Sequence, residues 1–318
     1  MLAPIAVIDI GSNTIKLLVT RETSDGKLDS VFRKSLETRI GKGLNARNPI
    51  FPKRVISDAM DAVAELVREA KRFSPKTIRI VATNAVRDSG NRNEFEAAVL
   101  ERAGIKLEVL SGKREAELIG KAIMRDPRLH IRDFYVFDLG GGSLEVLAFR
   151  NRKLQALASM PLGSVRIAEK CTKDPKAPFT SEDRRRIAET VANEFALSGF
   201  QTSLPNNAIA IGTGGTFTIS LKILAALQGR KFKDLPLYLS QNDLRYLLNL
   251  VGNKSFSERL EIPSLTPGRA DVFPTALSIV LKVLELCGQD GVHHSLCNLR
   301  YGAAHEMLEK EQAAPALL

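Results

Sequence analysis

The stretch of this sequence best equipped for chemistry is Asp138-Leu139-Gly140-Gly141-Gly142-Ser143-Leu144-Glu145, where three consecutive glycines and a serine stand between two carboxylates. Apolar runs on both sides make it a β-hairpin. Two glycines suffice for a tight hairpin; a third strips side chains from successive N–H groups and leaves a concave donor surface of the kind that binds phosphate oxygens. Asp138 and Glu145 beside that surface suggest a divalent metal bridging acid side chains and a phosphate chain. A plain glycine-rich hairpin with solvated acids is the competing reading.

The pattern of apolar run, Asp, glycine and small polar residues occurs once more, as Asp9-Ile10-Gly11-Ser12-Asn13-Thr14, about a domain's length earlier. The repetition implies a duplicated core with a cleft between its halves. Three further groups fall near strand ends or helix starts. Arg87 follows a strand over 77–82, where open α/β sheets place ligand groups, and reads as a phosphate clamp or as a surface arginine. Glu115 falls in the first turn of a helix over 111–123, as a catalytic acid or as a carboxylate favoured by the helix dipole. Gly214 and Gly215 lie in Gly212-Thr213-Gly214-Gly215-Thr216, where a strand turns into a helix; this is a second kind of anion site, or a turn that needs tight packing.

The elements that must position these groups follow from periodicity. Helices are expected over 53–73, 92–103 and 181–198, the last with Ser181 as N-cap, and strands over 31–40, 105–110 and 153–160. Beyond 219 the chain reads as helical, at 241–251, 257–260 and 274–287. Arg269 and Asp271 are expected to fix a loop, and His293, His294 and His305 to pack or face solvent. Residues 306–318 are expected to fray at their end. Residues 125–128 mark the boundary between domains 1–126 and 127–318.

With 318 residues, two domains are the expectation. The formal charge of +10, from 46 Lys+Arg against 36 Asp+Glu, favours a polyanionic partner. The basic residues are scattered, Trp is absent and no nucleic-acid motif is present, so a polyphosphate chain or nucleotide tail fits as well as nucleic acid, and no specific nucleic acid is expected. Cys171, Cys287 and Cys297 form no metal-ligand spacing and no even disulfide set, which points to a reducing cytoplasm. Neither a leader nor a membrane span is read from the sequence.

Taken in order, Asp9 to Thr14, Thr83-Asn84-Ala85-Val86-Arg87, Ser111-Gly112-Lys113-Arg114-Glu115-Ala116, Asp138 to Glu145 and Gly212 to Thr216 resemble the exopolyphosphatase/guanosine pentaphosphate phosphatase family, from the first strand to about Arg300-Tyr301-Gly302. That family is a branch of the superfamily of sugar kinases, actin and heat-shock chaperone ATPases. The resemblance implies two ribonuclease-H-like (actin-like ATPase) α/β domains around a central cleft. It also implies Mg²⁺-dependent hydrolysis of the terminal phosphoanhydride of inorganic polyphosphate, or of guanosine pentaphosphate. Catalysis would fall to Glu115, Glu145 and Arg87, metal binding to Asp9, Asp138 and Glu145. Phosphate binding would fall to Gly11, Ser12, Asn13, Thr14, Gly140, Gly141, Gly142, Ser143, Gly214 and Gly215. A nucleotide-binding kinase or a guanosine tetraphosphate sensor of the same superfamily is the alternative from another class. Longer members carry a further C-terminal helical domain and this sequence stops before it, so shorter polyphosphates or a nucleotide are expected over long chains. At Asn45-Ala46-Arg47-Asn48-Pro49, where the family often has another glycine, the loop is expected to differ. Short members pair through the second domain, so a homodimer is expected.

Overall fold

The alternation of β-branched strands with amphipathic helices produces two α/β units in the computed structural model, which describes residues 3–44, 49–201 and 204–313. The first unit takes the chain up to His130 and again from Cys297; the second runs from Ile131 to Leu296.

In the first unit, β1 (Ile5–Ile10), β2 (Ile15–Glu22) and β3 (Leu28–Leu36) form an antiparallel meander. Then follow α1 (Lys53–Lys71), β4 (Ile78–Ala82), the single turn α2 (Asn84–Arg87), α3 (Arg92–Ala103), β5 (Leu107–Val109) and α4 (Gly112–Met124). β4 pairs parallel with β1 and β5 parallel with β4, giving the sheet order β3-β2-β1-β4-β5. β1 is buried along its whole length, Asp9 included, as its apolar run Ile5 to Ile8 suits a strand covered on both faces. α1 buries Ile56, Ala59, Val63, Leu66, Val67 and Ala70, one stripe at helical spacing, over a core that includes Ile8, Leu17, Ile80 and Phe95.

The second unit repeats the plan. β6 (Phe134–Leu139), β7 (Leu144–Arg150) and β8 (Lys153–Met160) are the meander, followed by α5 (Ser164–Cys171), α6 (Ser181–Leu197), β9 (Ile209–Thr213) and α7 (Gly215–Leu227). After a 3₁₀ turn at Phe232–Asp234 come β10 (Tyr238–Ser240), α8 (Gln241–Gly252), α9 (Phe256–Leu260), α10 (Pro267–Ala270), α11 (Phe273–Leu286) and β11 (Gly291–His294). The sheet order is β10-β11-β9-β6-β7-β8, with β9 parallel to both β6 and β11. Asp9 and Asp138 occupy the same place, one residue before the end of β1 and of β6. The expected duplication is therefore present in topology as well as in sequence.

Three expectations are corrected. The last third is not all helical: β10 and β11, of three and four residues, are too short to carry a periodicity and are specified by sheet partners instead. The N-cap of α6 is Thr180, whose hydroxyl accepts from the backbone N–H of Asp183 while the Asp183 carboxylate accepts from the Thr180 N–H, a closed capping box. The second domain does not run from 127 to 318; it ends at Leu296, because the final helix α12 (Leu299–Ala313) lies along α4 and against β1 in the first unit. The expectation for residues 45–48 falls outside the described residues, as does that for 314–318. Among the described residues no helix is long and apolar enough to cross a membrane.

Candidate active site

In the first unit the loop of residues 11–14 closes through the Gly11 N–H on the Thr14 carbonyl, 3.2 Å. Its outer carbonyls are taken by a second segment: Gly41 N–H donates to Ser12 O at 2.7 Å, and Arg39 N–H to Asn13 O at 3.0 Å. Only glycine allows this approach at 41, since a Cβ there would stand 2.6 Å from Ser12 Cβ. A planar trans peptide points its N–H opposite to its C=O, so the N–H groups of Asn13 and Thr14 are turned away from residues 39–41. Ser12, Asn13 and Thr14 are all buried.

Asp9 is 9% exposed, and its Oδ1 has no hydrogen-bond partner among the described residues. Burial pushes its carboxyl above the usual range, while the charges of Lys16, its cross-strand neighbour, and Arg300 pull it back. A buried acceptor of this kind suits a hard cation, which prefers carboxylate oxygen. Among the described residues no three His, Cys, Asp or Glu side chains form a metal-holding group.

Arg87 and Glu115 are brought together. β4 ends beside β1, and α2 turns Arg87 back so that its Nη1 donates to Leu110 O at 3.0 Å and to Glu115 Oε2 at 3.1 Å. Glu115 is 7% exposed in the first turn of α4, whose N-cap Ser111 accepts from the Arg114 N–H. Arg87, expected as a phosphate clamp, thus stands in direct contact with Glu115, the expected base.

In the second unit the turn of residues 140–143 closes in the same way, Gly140 N–H on Ser143 O at 3.0 Å. Here the start of α5 takes the loop carbonyls: Ser164 N–H donates to Gly140 O at 3.0 Å and Val165 N–H to Gly141 O at 2.9 Å. The loop thereby satisfies the first N–H groups of α5, and the N–H groups of Gly141 and Gly142 point the opposite way. A Cβ on Gly163 would collide with the backbone of Gly141 and Gly142, so residue 163 must be glycine for the two segments to touch. None of Gly140, Gly141 and Gly142 has a positive φ; absence of side chains, rather than backbone handedness, is what the loop uses.

Asp138 and Glu145 are direct cross-strand partners, so their side chains share one face of the hairpin. Glu145 is 1% exposed and accepts from Ser159 Oγ at 2.8 Å. On the other side Asp138 pairs with Thr213, whose buried hydroxyl has no hydrogen-bond partner among the described residues. Gly214, at φ 104°, passes so near that a Cβ would stand 3.0 Å from Asp138 Oδ1. Gly215 opens α7, and a Cβ on it would meet the Arg269 guanidinium at 2.7 Å. Arg269, expected only to fix a loop, thus sets a buried cation against the N-terminus of α7, a place that suits anions. The sequence contains no signal for this contact, nor for Gly163, because each pairs residues far apart in the chain; the strand ending near Gly41 is expected beside the first loop, and it lies there. His294 is held in the core, with Nδ1 3.0 Å from Gly212 O and Nε2 2.9 Å from Thr218 Oγ1.

The chain is similar to several known proteins. A guanosine-5'-triphosphate,3'-diphosphate pyrophosphatase of Photobacterium profundum is 25% identical over 315 residues, which is 96% of this chain but 59% of that protein. This chain therefore spans less than two thirds of that relative's length. An exopolyphosphatase from Cytophaga hutchinsonii superposes with a TM-score of 0.84 at 23% identity, covering 96% of this chain and 98% of its own. A family member from Aquifex aeolicus superposes at 0.79 with 24% identity, covering 98% and 99%. At these identities the two structures establish the fold, a two-domain actin-like one. The Ppx/GppA phosphatase family model matches residues 18–311, and the chain belongs to that family.

Proposed function

We propose that this protein is a Mg²⁺-dependent phosphohydrolase that removes the terminal phosphate of inorganic polyphosphate as orthophosphate. The observation that carries the reading is Glu115, a buried carboxylate held by Arg87 on the helix that follows the β1–β4–β5 edge. Phosphoryl transfer needs positioning and charge neutralisation more than covalent help. The N–H groups of Asn13 and Thr14 in the first unit, and of Gly141 and Gly142 in the second, would each meet phosphate oxygens without reorganising. Glu115 orients a water molecule and accepts its proton as the water oxygen bonds to the terminal phosphorus; the bridging P–O bond breaks, and the shortened chain leaves on that oxygen. Bound Mg²⁺ would neutralise charge on the phosphate oxygens; Asp9, whose buried Oδ1 has no hydrogen-bond partner among the described residues, would hold it in the first unit, and Asp138 and Glu145 are the candidate carboxylates of the second. The net charge of +10 draws polyanions in.

Guanosine pentaphosphate is the second reading, favoured by the activity named for the Photobacterium relative. It presents the same terminal phosphoanhydride. The proposal extends to a homodimer in a reducing cytoplasm, a setting that suits three cysteines, Cys171, Cys287 and Cys297, an odd number without metal-ligand spacing. Orthophosphate release from each substrate, with Mg²⁺ and with a chelator, tests it. Release that stops on chelation is the expected result; no release from either substrate with Mg²⁺ present would refute it.

A further inference from the structure

We propose that α12, drawn from the far end of the chain, is the splint that fixes where Glu115 stands relative to the β1–β2 hairpin, with Gly302, Glu306 and Arg300 as its positioning residues. The inference rests on the reading of Glu115 as the base.

Gly302 lies so close to α4 that a Cβ on it would collide with the Leu118 carbonyl oxygen and stand 2.6 Å from its carbon. Leu118 is one turn beyond Glu115, so the helix backbones touch where the base is mounted. One turn further along α12, Glu306 is gripped from two sides, by Arg79 Nη1 of β4 at 2.8 Å and by Arg114 Nη2 of α4. Arg114 directly precedes Glu115. Glu309 adds Lys121 and Arg125, each at 2.5 Å. Positions 302, 306 and 309 recur at steps of four and three, one face of a helix laid along α4. At its first turn, α12 is pinned to the hairpin by Arg300, 8% exposed, whose Nη1 donates to Leu17 O of β2 at 3.0 Å. Leu17 pairs with Ile8, next to Asp9. One helix therefore bonds to both carriers of the candidate residues in this unit.

The contacts differ in weight. Pairs made by Glu309 are partly exposed and contribute little. Glu306, with a side chain 11% exposed between two guanidinium groups, and the backbone approach at Gly302 are the parts that fix distance. A displacement of the base by about 1 Å lowers turnover by on the order of 100-fold.

The experiment measures kcat and KM for orthophosphate release from polyphosphate, with thermal midpoints, for Gly302→Ala and Glu306→Gln in the full chain and again in a Glu115→Gln background. The expected result is a kcat lower by roughly 10- to 100-fold with KM little changed. In the Glu115→Gln background the same substitutions should leave the residual rate within about twofold, since the group they position is gone. An equal fall in both backgrounds, or a lowered midpoint with unchanged kcat, would overturn the splint. If Gly302→Ala fails to fold, Glu306→Gln is read in the same way. Full activity of Glu115→Gln alone overturns the base reading and the splint with it, a result distinct from the others.

Discussion

Nη1 of Arg87 lies 3.1 Å from Oε2 of Glu115 and 3.0 Å from the Leu110 carbonyl, so a single guanidinium nitrogen ties the candidate base to the end of β5. Hydrogen bonds to charged groups contribute about 1.5–3 kcal/mol. Arg87→Met should therefore lower kcat for phosphate release by roughly 10- to 100-fold, and Arg87→Lys, which keeps charge but not the fork, should recover only part of it. Steady-state kinetics of the two variants check this; an unchanged kcat in Arg87→Met would separate Arg87 from Glu115.

The contact of Gly163 with the glycine turn gives a prediction about binding. In Gly163→Ala the new methyl group would displace Gly141 and Gly142 and with them the N–H groups opposite their engaged carbonyls. KM for polyphosphate should rise by about tenfold or more, the loss of one or two charge-assisted bonds. Titration calorimetry with a short polyphosphate provides the check.

Arg259 is predicted to be a stability residue. It is completely buried and donates to four carbonyls: Val251 at 2.9 Å, Pro175 and Ala177 at 2.7 Å, and Ala270 at 3.2 Å. Burial lowers its pKa, with Asp271 and Asp174 opposing. Arg259→Met would leave several of these carbonyls without a donor, a loss of at least about 3 kcal/mol. The thermal midpoint of the second unit should fall by roughly 6–12 °C.

His305 on α12 predicts a pH dependence of stability. Burial, reinforced by the charges of Arg125 and Lys121 against that of Glu309, lowers its pKa to about 4. Between that value and the ordinary histidine pKa the unfolded chain binds the proton and the native chain does not, so stability rises with pH across that window. Acidification from pH 7 to pH 4 should cost on the order of 3 kcal/mol through this residue. His305→Gln should flatten that part of the profile in urea unfolding measured from pH 4 to pH 7.

What the sequence made legible was local. The two Asp-to-glycine turns, the amphipathic face of α1 and the first-turn placement of Glu115 each follow from residues within one turn or hairpin, and all are present. The repeated turn also conveyed the duplication, because the same short pattern occurs at the same place in both sheets. What was not legible depends on pairs distant in sequence. Gly163 under Gly141, Arg269 over Gly215 and Gly302 under Leu118 are defined only once the chain is folded. The return of α12 to the first unit belongs here too, since its fit to α4 lies in one glycine and one glutamate that mark no boundary. β10 and β11 escaped notice because three or four residues cannot display a period.

The central claim is that Glu115 activates the attacking water while the glycine loops hold the phosphates. The most direct measurement is a comparison of wild type and Glu115→Gln for both orthophosphate release and polyphosphate affinity in the presence of Mg²⁺. The account predicts a loss of turnover of about 100-fold or more with affinity within about threefold of wild type. Retained turnover, or a loss explained by weakened binding alone, would contradict it.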